Sequence, residues 1–345
     1  MRPRIAVLLP AAADAASGGA ERYAAGLPRA LDELGLDTEL IRRGCEDATV
    51  EAILGDYLGF YDLDLRQFDG VISTKAPSYV ARHANHVCHL MHTMRAFYDR
   101  FDEAFPDATP DRIEQRRTIQ ALDSAALAPS RLRGLFAVGQ EGVDRLQAFN
   151  QRTARALRHP SSLDGLHTGR FRHLLLPGRL HRRKRVDLAI AAMALARADV
   201  ELVITGAGED DQRLRGLAAG EPRIRFAGQV GDAELRQLYA DALAVLFLPQ
   251  REDLGLVTLE AFGSGKPVIT CSDAGEPARL VQDGRSGFVC PPDPAAIAAR
   301  IDLLAADPER AAALGAAGAA SIRPITWPHV ATTLATALGF APAAR

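Results

Sequence analysis

Residues 246–269 read LFLPQREDLGLVTLEAFGSGKPVI, and several kinds of local structure succeed one another within them. The apolar run that ends at Pro249 reads as a buried strand, QRED as a loop, the stretch from about Gly255 to Gly263 as a helix, and KPVI as the start of another strand. Strand, loop, helix and strand in so short a span form the repeating unit of a parallel, doubly wound sheet.

The same alternation extends outward in both directions. HLLLPG (173–178), ELVITG (201–206), RIRFAGQV (223–230), AVLFLP (244–249), PVITCS (267–272) and GFVCPP (287–292) are strand candidates, with helical patterns at Asp187–Ala198 and Asp232–Ala242 between them. In the first half, the run Ile5–Leu9 empties into the small-residue loop AAADAASGG (11–19) ahead of an amphipathic helix at about Ala20–Leu34. Further short apolar runs stand at Glu39–Ile41, Val71–Ser73, Val87–Met91 and Ala125–Ala128. Periodicity fails from Arg152 to Arg172, where RHPSSLDGLHTGR (158–170) is rich in turn formers, so a linker is expected near Pro160–Gly169. The reading is an α/β chain of two doubly wound, Rossmann-like domains, and ligands of such folds bind at the carboxyl ends of the strands, here in a cleft between the domains.

At 345 residues the chain has the length of about two domains. With 48% hydrophobic residues and a formal net charge of −2, it has the core of a globular protein and no global electrostatic case for nucleic acid. Cys45, Cys88, Cys271 and Cys290 are widely spaced, which points to neither a zinc site nor a disulfide framework and fits a reducing cytoplasm. The start, MRPRIAVLLPAAADAAS, imitates a signal peptide, but the Ile5–Leu9 core is short for one and Asp14 interrupts the small-residue run after it. No apolar run approaches the length of a membrane span.

Glu252 lies in the loop of the opening stretch and Glu260 inside its helix, about 12 Å apart at the helical rise. That separation is too wide for a shared proton and suits a grip on two ends of one elongated ligand. The amides of Leu254, Gly255, Leu256 and Val257 open the helix, where unpaired donors and the macrodipole favour an anion. A capping acid with a surface glutamate is the plainer reading. Arg179 and Lys184 stand in PGRLHRRKRVDLAIAA, between a strand and a helix, where a diphosphate would be well held. Arg182, Arg183 and Arg185 read as a solvated basic turn. Gly18 and Gly19 permit close backbone approach ahead of the first helix, without the full G-x-G-x-x-G fingerprint, and Gly206 and Gly208 likewise lack the third glycine. His92 and Arg95 follow an apolar run and would face the cleft. The neighbouring His83, His86 and His89 lack acidic partners for a metal, and Asp62 with Asp64 reads as an exposed acidic turn.

Together these segments resemble the retaining GT-B glycosyltransferases of family 4 over nearly the whole chain. GRLHRRK resembles the GR-x4-K motif, EDLGLVTLEAFGSGKPVI the E-x7-E signature, GQVGDAELRQLYADA the segment beside the base, and SDAGEPARLVQDGRSGFVCPPDP its continuation. GGAER, HLMHTMRAFYD and APSR carry a looser match in the first half, while Phe97–Thr118 matches nothing assignable. The resemblance implies an acceptor-side domain at 1–165, a donor-binding domain at 166–325 and a helix at 326–345 that packs back on the first domain. It implies that Arg179 and Lys184 hold the donor diphosphate with Gly18, Gly19 and the amides near Leu256 and Val257. Glu260 would take the ribose hydroxyls, Glu252 the transferred sugar, and Val230 would lie beside the base. His92 would sit near the reacting sugar, with Arg95 on the acceptor side. Catalysis is expected to be electrostatic, with retention, no metal and no required cofactor.

HLMHTMRAFYD with REDLGLVTLEA resembles the mannosyltransferase branch, so GDP-mannose is the first expected donor and a UDP-sugar the next. The expected partners are that nucleotide-sugar donor and a glycan, lipid-linked or small-molecule acceptor, without nucleic acid. Arg95, Arg100, Arg112, Arg116 and Arg117 would give a basic face suited to an anionic acceptor or to peripheral contact with the inner membrane surface, against a solvated helix face interleaved with acids. Two other readings stand: a nucleotide-sugar epimerase of the same architecture, and a non-catalytic scaffold that binds nucleotide sugars.

Overall fold

The computed structural model describes residues 2–11, 19–46 and 49–340, with 19–22 as helix backbone only. The chain divides into two compact units, 1–162 with 325–345, and 163–324.

The first unit runs β1 (Arg4–Ala11), α1 (Gly19–Glu33), β2 (Asp37–Gly44), α2 (Val50–Tyr61), β3 (Gly70–Ser73), β4 (His86–Leu90), α3 (Phe101–Ala104), α4 (Pro110–Ala126), β5 (Gly134–Ala137), α5 (Gln140–Asn150) and β6 (Arg155–Ala156). The second runs β7 (His173–Pro177), α6 (Val186–Leu195), β8 (Leu202–Thr205), α7 (Asp211–Ala218), β9 (Ile224–Gly228), α8 (Asp232–Asp241), β10 (Ala242–Leu246), α9 (Leu256–Gly263), β11 (Val268–Cys271), α10 (Glu276–Leu280), β12 (Gly287–Cys290), α11 (Pro294–Ala306) and α12 (Pro308–Ser321). A last helix, α13 (Trp327–Ala337), returns to the first unit.

Each unit holds a six-stranded parallel sheet among the described residues, ordered β2-β1-β3-β4-β5-β6 in the first and β12-β11-β10-β7-β8-β9 in the second. The inner strands β1, β3, β7, β8, β10 and β11 read as near-continuous apolar runs because helices cover both faces, whereas the edge strands β2 and β6 are polar and largely exposed. In β7, Leu174 and Leu176 face one core cluster and Leu175 another, all buried. In β1, Ala6 and Leu8 point one way while Ile5 and Val7 point the other. Fully burying one such leucine or valine stabilises the fold by about 1.5–3 kcal/mol, so the strand interiors tolerate little truncation.

The helix starts follow simple capping chemistry. Thr49 caps α2 by accepting from the Ala52 amide, Thr109 caps α4 from the Arg112 amide, and Asp293 caps α11 from the Ala296 amide, the last two with Pro in the first turn. The α13 helix is fixed the same way by Thr326, and its Val330, Ala331 and Leu334 bury against α1 residues Leu27 and Leu31. Gly26 gives the Trp327 ring its room, since a Cβ there would stand 2.2 Å from the indole.

In the second sheet the order of strands reverses between β7 and β10, and in the first between β1 and β3. In sheets of this kind each switch point opens a crevice at the carboxyl ends of its own strands. The loop after β1, which carries Gly18, lies outside the described residues.

Two expectations from the sequence need correction. Ala125–Ala128 is not a strand but the buried end of α4 and its cap at Leu127, and the strand of that region is β5, nine residues on at Gly134–Ala137. The apolar run to Pro249 leaves the ladder at Leu246, although Phe247 and Leu248 stay buried beyond it. Among the described residues no helix is long and apolar enough to cross a membrane.

Candidate functional site

The loops after β7 and β10 flank the switch point of the second unit, and each delivers one charged side chain to it. Lys184 closes a 3₁₀ turn after β7, and its Nζ donates to Glu252 Oε2 at 2.7 Å. The same ammonium lies over the Phe247 ring, 5.3 Å from its centroid. Lys184 and Glu252 are 27% and 28% exposed, so the pair is only partly dehydrated and open to exchange with a ligand.

Glu252 is placed by its backbone. Its amide donates to Ala274 O at 2.7 Å and its carbonyl accepts from the Glu276 amide at 2.9 Å, which makes a one-residue parallel bridge to Gly275. Gly275 sits at φ 78°, and a Cβ there would come within 2.6 Å of Glu252 O. Only glycine meets both conditions. Gly255, also at φ 78°, opens α9 without a side-chain oxygen, so the amides of Leu256 and Val257 at the helix start are left for a ligand or solvent. Leu254 before it is buried.

Glu260 lies one turn further along α9, 4% exposed, and its Oε2 accepts from the Tyr239 hydroxyl of α8 at 2.8 Å. Arg179 leaves the loop after β7 in another direction. It is 70% exposed and pairs with Glu209 at 3.3 Å. His181 meets the other Glu209 oxygen through Nε2 at 3.3 Å while its Nδ1 accepts from the Arg183 amide, so Nε2 carries the proton. A hydrogen bond from its own backbone, then His181 and Arg179, hold the Glu209 carboxyl below the usual range. Gly206 and Gly208 serve this packing: Cβ atoms there would fall 2.0 Å from Gly178 O and 2.1 Å from Leu180 O.

The structure therefore joins Lys184 to Glu252, sets Glu260 on Tyr239, and turns Arg179 to Glu209. Val230 stands partly buried between β9 and α8. Arg185 is not part of a solvated turn. Its guanidinium donates to Leu248 O and Pro249 O and forks onto Asp273 at 2.7 and 2.8 Å. No sequence signal marked it, because its partners lie 63 to 88 residues away. Tyr239 was missed for the same reason.

In the first unit Gly19 is the first residue of α1, and Gly18 lies outside the described residues. His92 follows β4, exposed, with Nδ1 donating to Thr93 O at 3.0 Å. Arg95 is little exposed, with 9% of its side chain accessible. Its guanidinium is turned to Asp99, which also takes Arg145 Nε at 3.0 Å. Three further arginines of the expected basic face are engaged as well: Arg112 lies over Phe105, Arg116 over Phe101, and Arg117 beside Glu114. His83, His86 and His89 each bond to backbone or side-chain partners, and Asp64 pairs with Arg66. Among the described residues no cluster of His, Cys, Asp and Glu is set to hold a metal.

Residues 166–321 match the family model described as glycosyl transferases group 1. A D-inositol 3-phosphate glycosyltransferase of Streptomyces scabiei is 28% identical over 69% of this chain and 59% of its own length. A phosphatidyl-myo-inositol mannosyltransferase of Mycobacterium leprae is 38% identical over 39% of this chain and 37% of its own. The matched part thus spans less than two thirds of these relatives' length. Anabaena HepE, solved in complex with UDP and glucose, shares the fold with a TM-score of 0.73 and 16% identity, covering 98% of this chain and 100% of that one.

Proposed function

From a C-terminal unit of the group 1 glycosyltransferase family and two Rossmann-like sheets of GT-B type, we propose that the chain transfers a sugar from a nucleoside-diphosphate sugar to an acceptor hydroxyl with retention. The observation that carries this reading is the partly exposed Lys184–Glu252 pair at the switch point, beside the open start of α9. Lys184 and Glu252 satisfy each other's charge in the structure. A bound donor separates them: its diphosphate takes the Lys184 ammonium and the amides of Leu256 and Val257, and its sugar hydroxyls take the Glu252 carboxylate. Glu260, already oriented by Tyr239, accepts the ribose hydroxyls, and Val230 lies beside the base.

As the bond between the sugar and the diphosphate oxygen breaks, charge collects on the diphosphate, where Lys184, Arg179 and the dipole of α9 stabilise it. The acceptor oxygen attacks the same face, and its proton leaves on the departing diphosphate. Arg179 must exchange Glu209 for phosphate to take part. No covalent glutamate intermediate and no metal are required.

The mannosyltransferase named among the relatives favours GDP-mannose, and the UDP complex of HepE keeps a UDP-sugar as the alternative. Calorimetric titration with GDP, UDP, ADP and dTDP, with and without a chelator, tests the reading. Tight, chelator-insensitive binding of one nucleotide is expected and identifies the base. Binding of none overturns the donor reading.

A further inference from the structure

Arg185 occupies the left-handed region at φ 50°, an unfavourable place for a long side chain. It joins the 3₁₀ turn that ends in Lys184 to the start of α6. From there the guanidinium makes four hydrogen bonds of 2.7–2.8 Å: to Leu248 O, to Pro249 O, and two to the carboxylate of Asp273. Leu248 and Pro249 lead into the loop that carries Glu252, and Asp273 belongs to the loop after β11. Backbone bonds finish the assembly. Gln250 N donates to Arg183 O at 3.0 Å, Arg251 N to Asp273 O at 2.9 Å, and Glu252 N to Ala274 O at 2.7 Å. Three loops from three strands are thereby tied at one guanidinium.

We infer that Arg185 is the positioning residue of this site: its planar fork locks the loop after β10 against the loop after β11, which sets the Glu252 carboxylate opposite Lys184. It does not touch the donor. The fork is what matters, since a lysine ammonium at the same position has three donors on one atom at the end of a flexible stem and lacks the rigid planar fork that meets the Asp273 carboxylate side-on while reaching both carbonyls. The backbone at φ 50° is a cost accepted for that geometry, and glycine would adopt it without strain. The consequence for donor binding rests on the function proposed above, whereas the locking of the loops does not.

The test uses the full chain and the variants Arg185→Gly, Arg185→Lys and Asp273→Asn. Amide hydrogen exchange is followed by mass spectrometry, and GDP and UDP are titrated by calorimetry. Arg185→Gly and Arg185→Lys are expected to speed exchange at the Arg251, Glu252 and Glu276 amides by about tenfold or more, while β7 and β8 keep their wild-type rates. Asp273→Asn, which keeps the carbonyl contacts, should move the same amides in the same direction by less. Nucleotide affinity should fall about tenfold in both Arg185 variants.

Wild-type exchange at those amides in Arg185→Lys would overturn the inference, because charge alone would then suffice. Uniform acceleration across the whole unit would overturn it too, leaving Arg185 a residue of general stability. If the wild type binds neither nucleotide while the expected exchange pattern appears, the locking role stands and the donor reading falls.

Discussion

The two units build the same kind of sheet, but the charged pair at the strand ends of the second and a charged cluster in the first are dehydrated to different degrees. In the second, Lys184 and Glu252 meet at the strand ends a quarter exposed, in loops whose backbone is fixed by Arg185 and Gly275. In the first, Arg95, Asp99 and Arg145 form a sealed ion-pair cluster with Arg145 only 3% exposed, and Asp123 accepts from Tyr57 and Tyr98 at 2.5 and 2.6 Å inside the core. A half-wet pair can trade its partner for a ligand, whereas a dry one holds helices together. Charge in a sequence thus marks neither chemistry nor structure until its exposure is known.

Acid breaks this contrast most strongly. In the first unit burial holds His86 and His89 down at about 3 and His159 at about 4, against 6.5 for a free imidazole. The rings are committed as neutral partners: His89 accepts from Tyr23 OH at 2.7 Å and donates to Leu157 O at 2.8 Å. Below pH 6.5 the unfolded chain binds protons that the folded rings refuse, so their stabilisation is present above 6.5 and is lost as pH falls toward 4. The loss is about 3 kcal/mol for each ring by pH 4. Asp123 works the other way, because burial raises its carboxyl to about 6 and its stabilisation, present below 3.8, is lost as pH rises through 6. The histidines outnumber it. The single tryptophan, Trp327, stacks on His159 and reports this unit alone. Its fluorescence is expected to show unfolding on acidification before far-UV circular dichroism reports loss of the second sheet, and simultaneous loss would break the comparison.

The sealed cluster comes next. Arg145→Ala leaves the Asp99 carboxylate with Arg95 as its remaining guanidinium partner in a dry setting, and is expected to destabilise the first unit by about 3–5 kcal/mol in urea. Nucleotide affinity should change little in whatever fraction stays folded. An effect below about 1 kcal/mol would show that the cluster is hydrated like a surface pair.

How much of this the sequence showed depends on the reach of each interaction. The strands of the second unit were legible because burial on both faces writes them as apolar runs between loops. Ala125–Ala128 misled for the same reason: Ala126 and Leu127 are buried at the end of α4, and so short an apolar run looks alike in a helix and in a strand. The strand β6, two residues long, has no pattern to read. Lys184, Glu252 and Glu260 were visible as residue types at a spacing. Arg185 and Tyr239 were not, since what makes them matter is a partner far along the chain, and Arg95 looked exposed only because Asp99 and Arg145 were not yet placed beside it.

On the wet side, Lys184→Ala is expected to weaken nucleotide binding by about 1.5–3 kcal/mol, the worth of a charge-assisted hydrogen bond. Its cost in folding should stay within about 1 kcal/mol, because the pair is partly solvated. A variant that lowers the melting temperature while leaving calorimetric affinity intact would move Lys184 to the structural side of the comparison.

Glu260 stands between the two behaviours, as buried as the cluster of the first unit yet on the helix that opens beside Glu252 in the second. Its Oε2 already serves Tyr239, which is wholly buried. Glu260→Ala therefore removes both the proposed ligand contact and the acceptor of a buried hydroxyl, and should lower stability by about 1–3 kcal/mol as well as affinity. Glu260→Gln keeps an oxygen for Tyr239 and loses only the charge. It should leave the melting curve near wild type and weaken nucleotide binding by about 1 kcal/mol, the difference between charged and neutral hydrogen bonds. Should glutamine instead lower the melting temperature as far as alanine and leave the titration unchanged, Glu260 would belong to the core of its unit. The ribose would then have to be held by groups that the loops, rather than α9, supply.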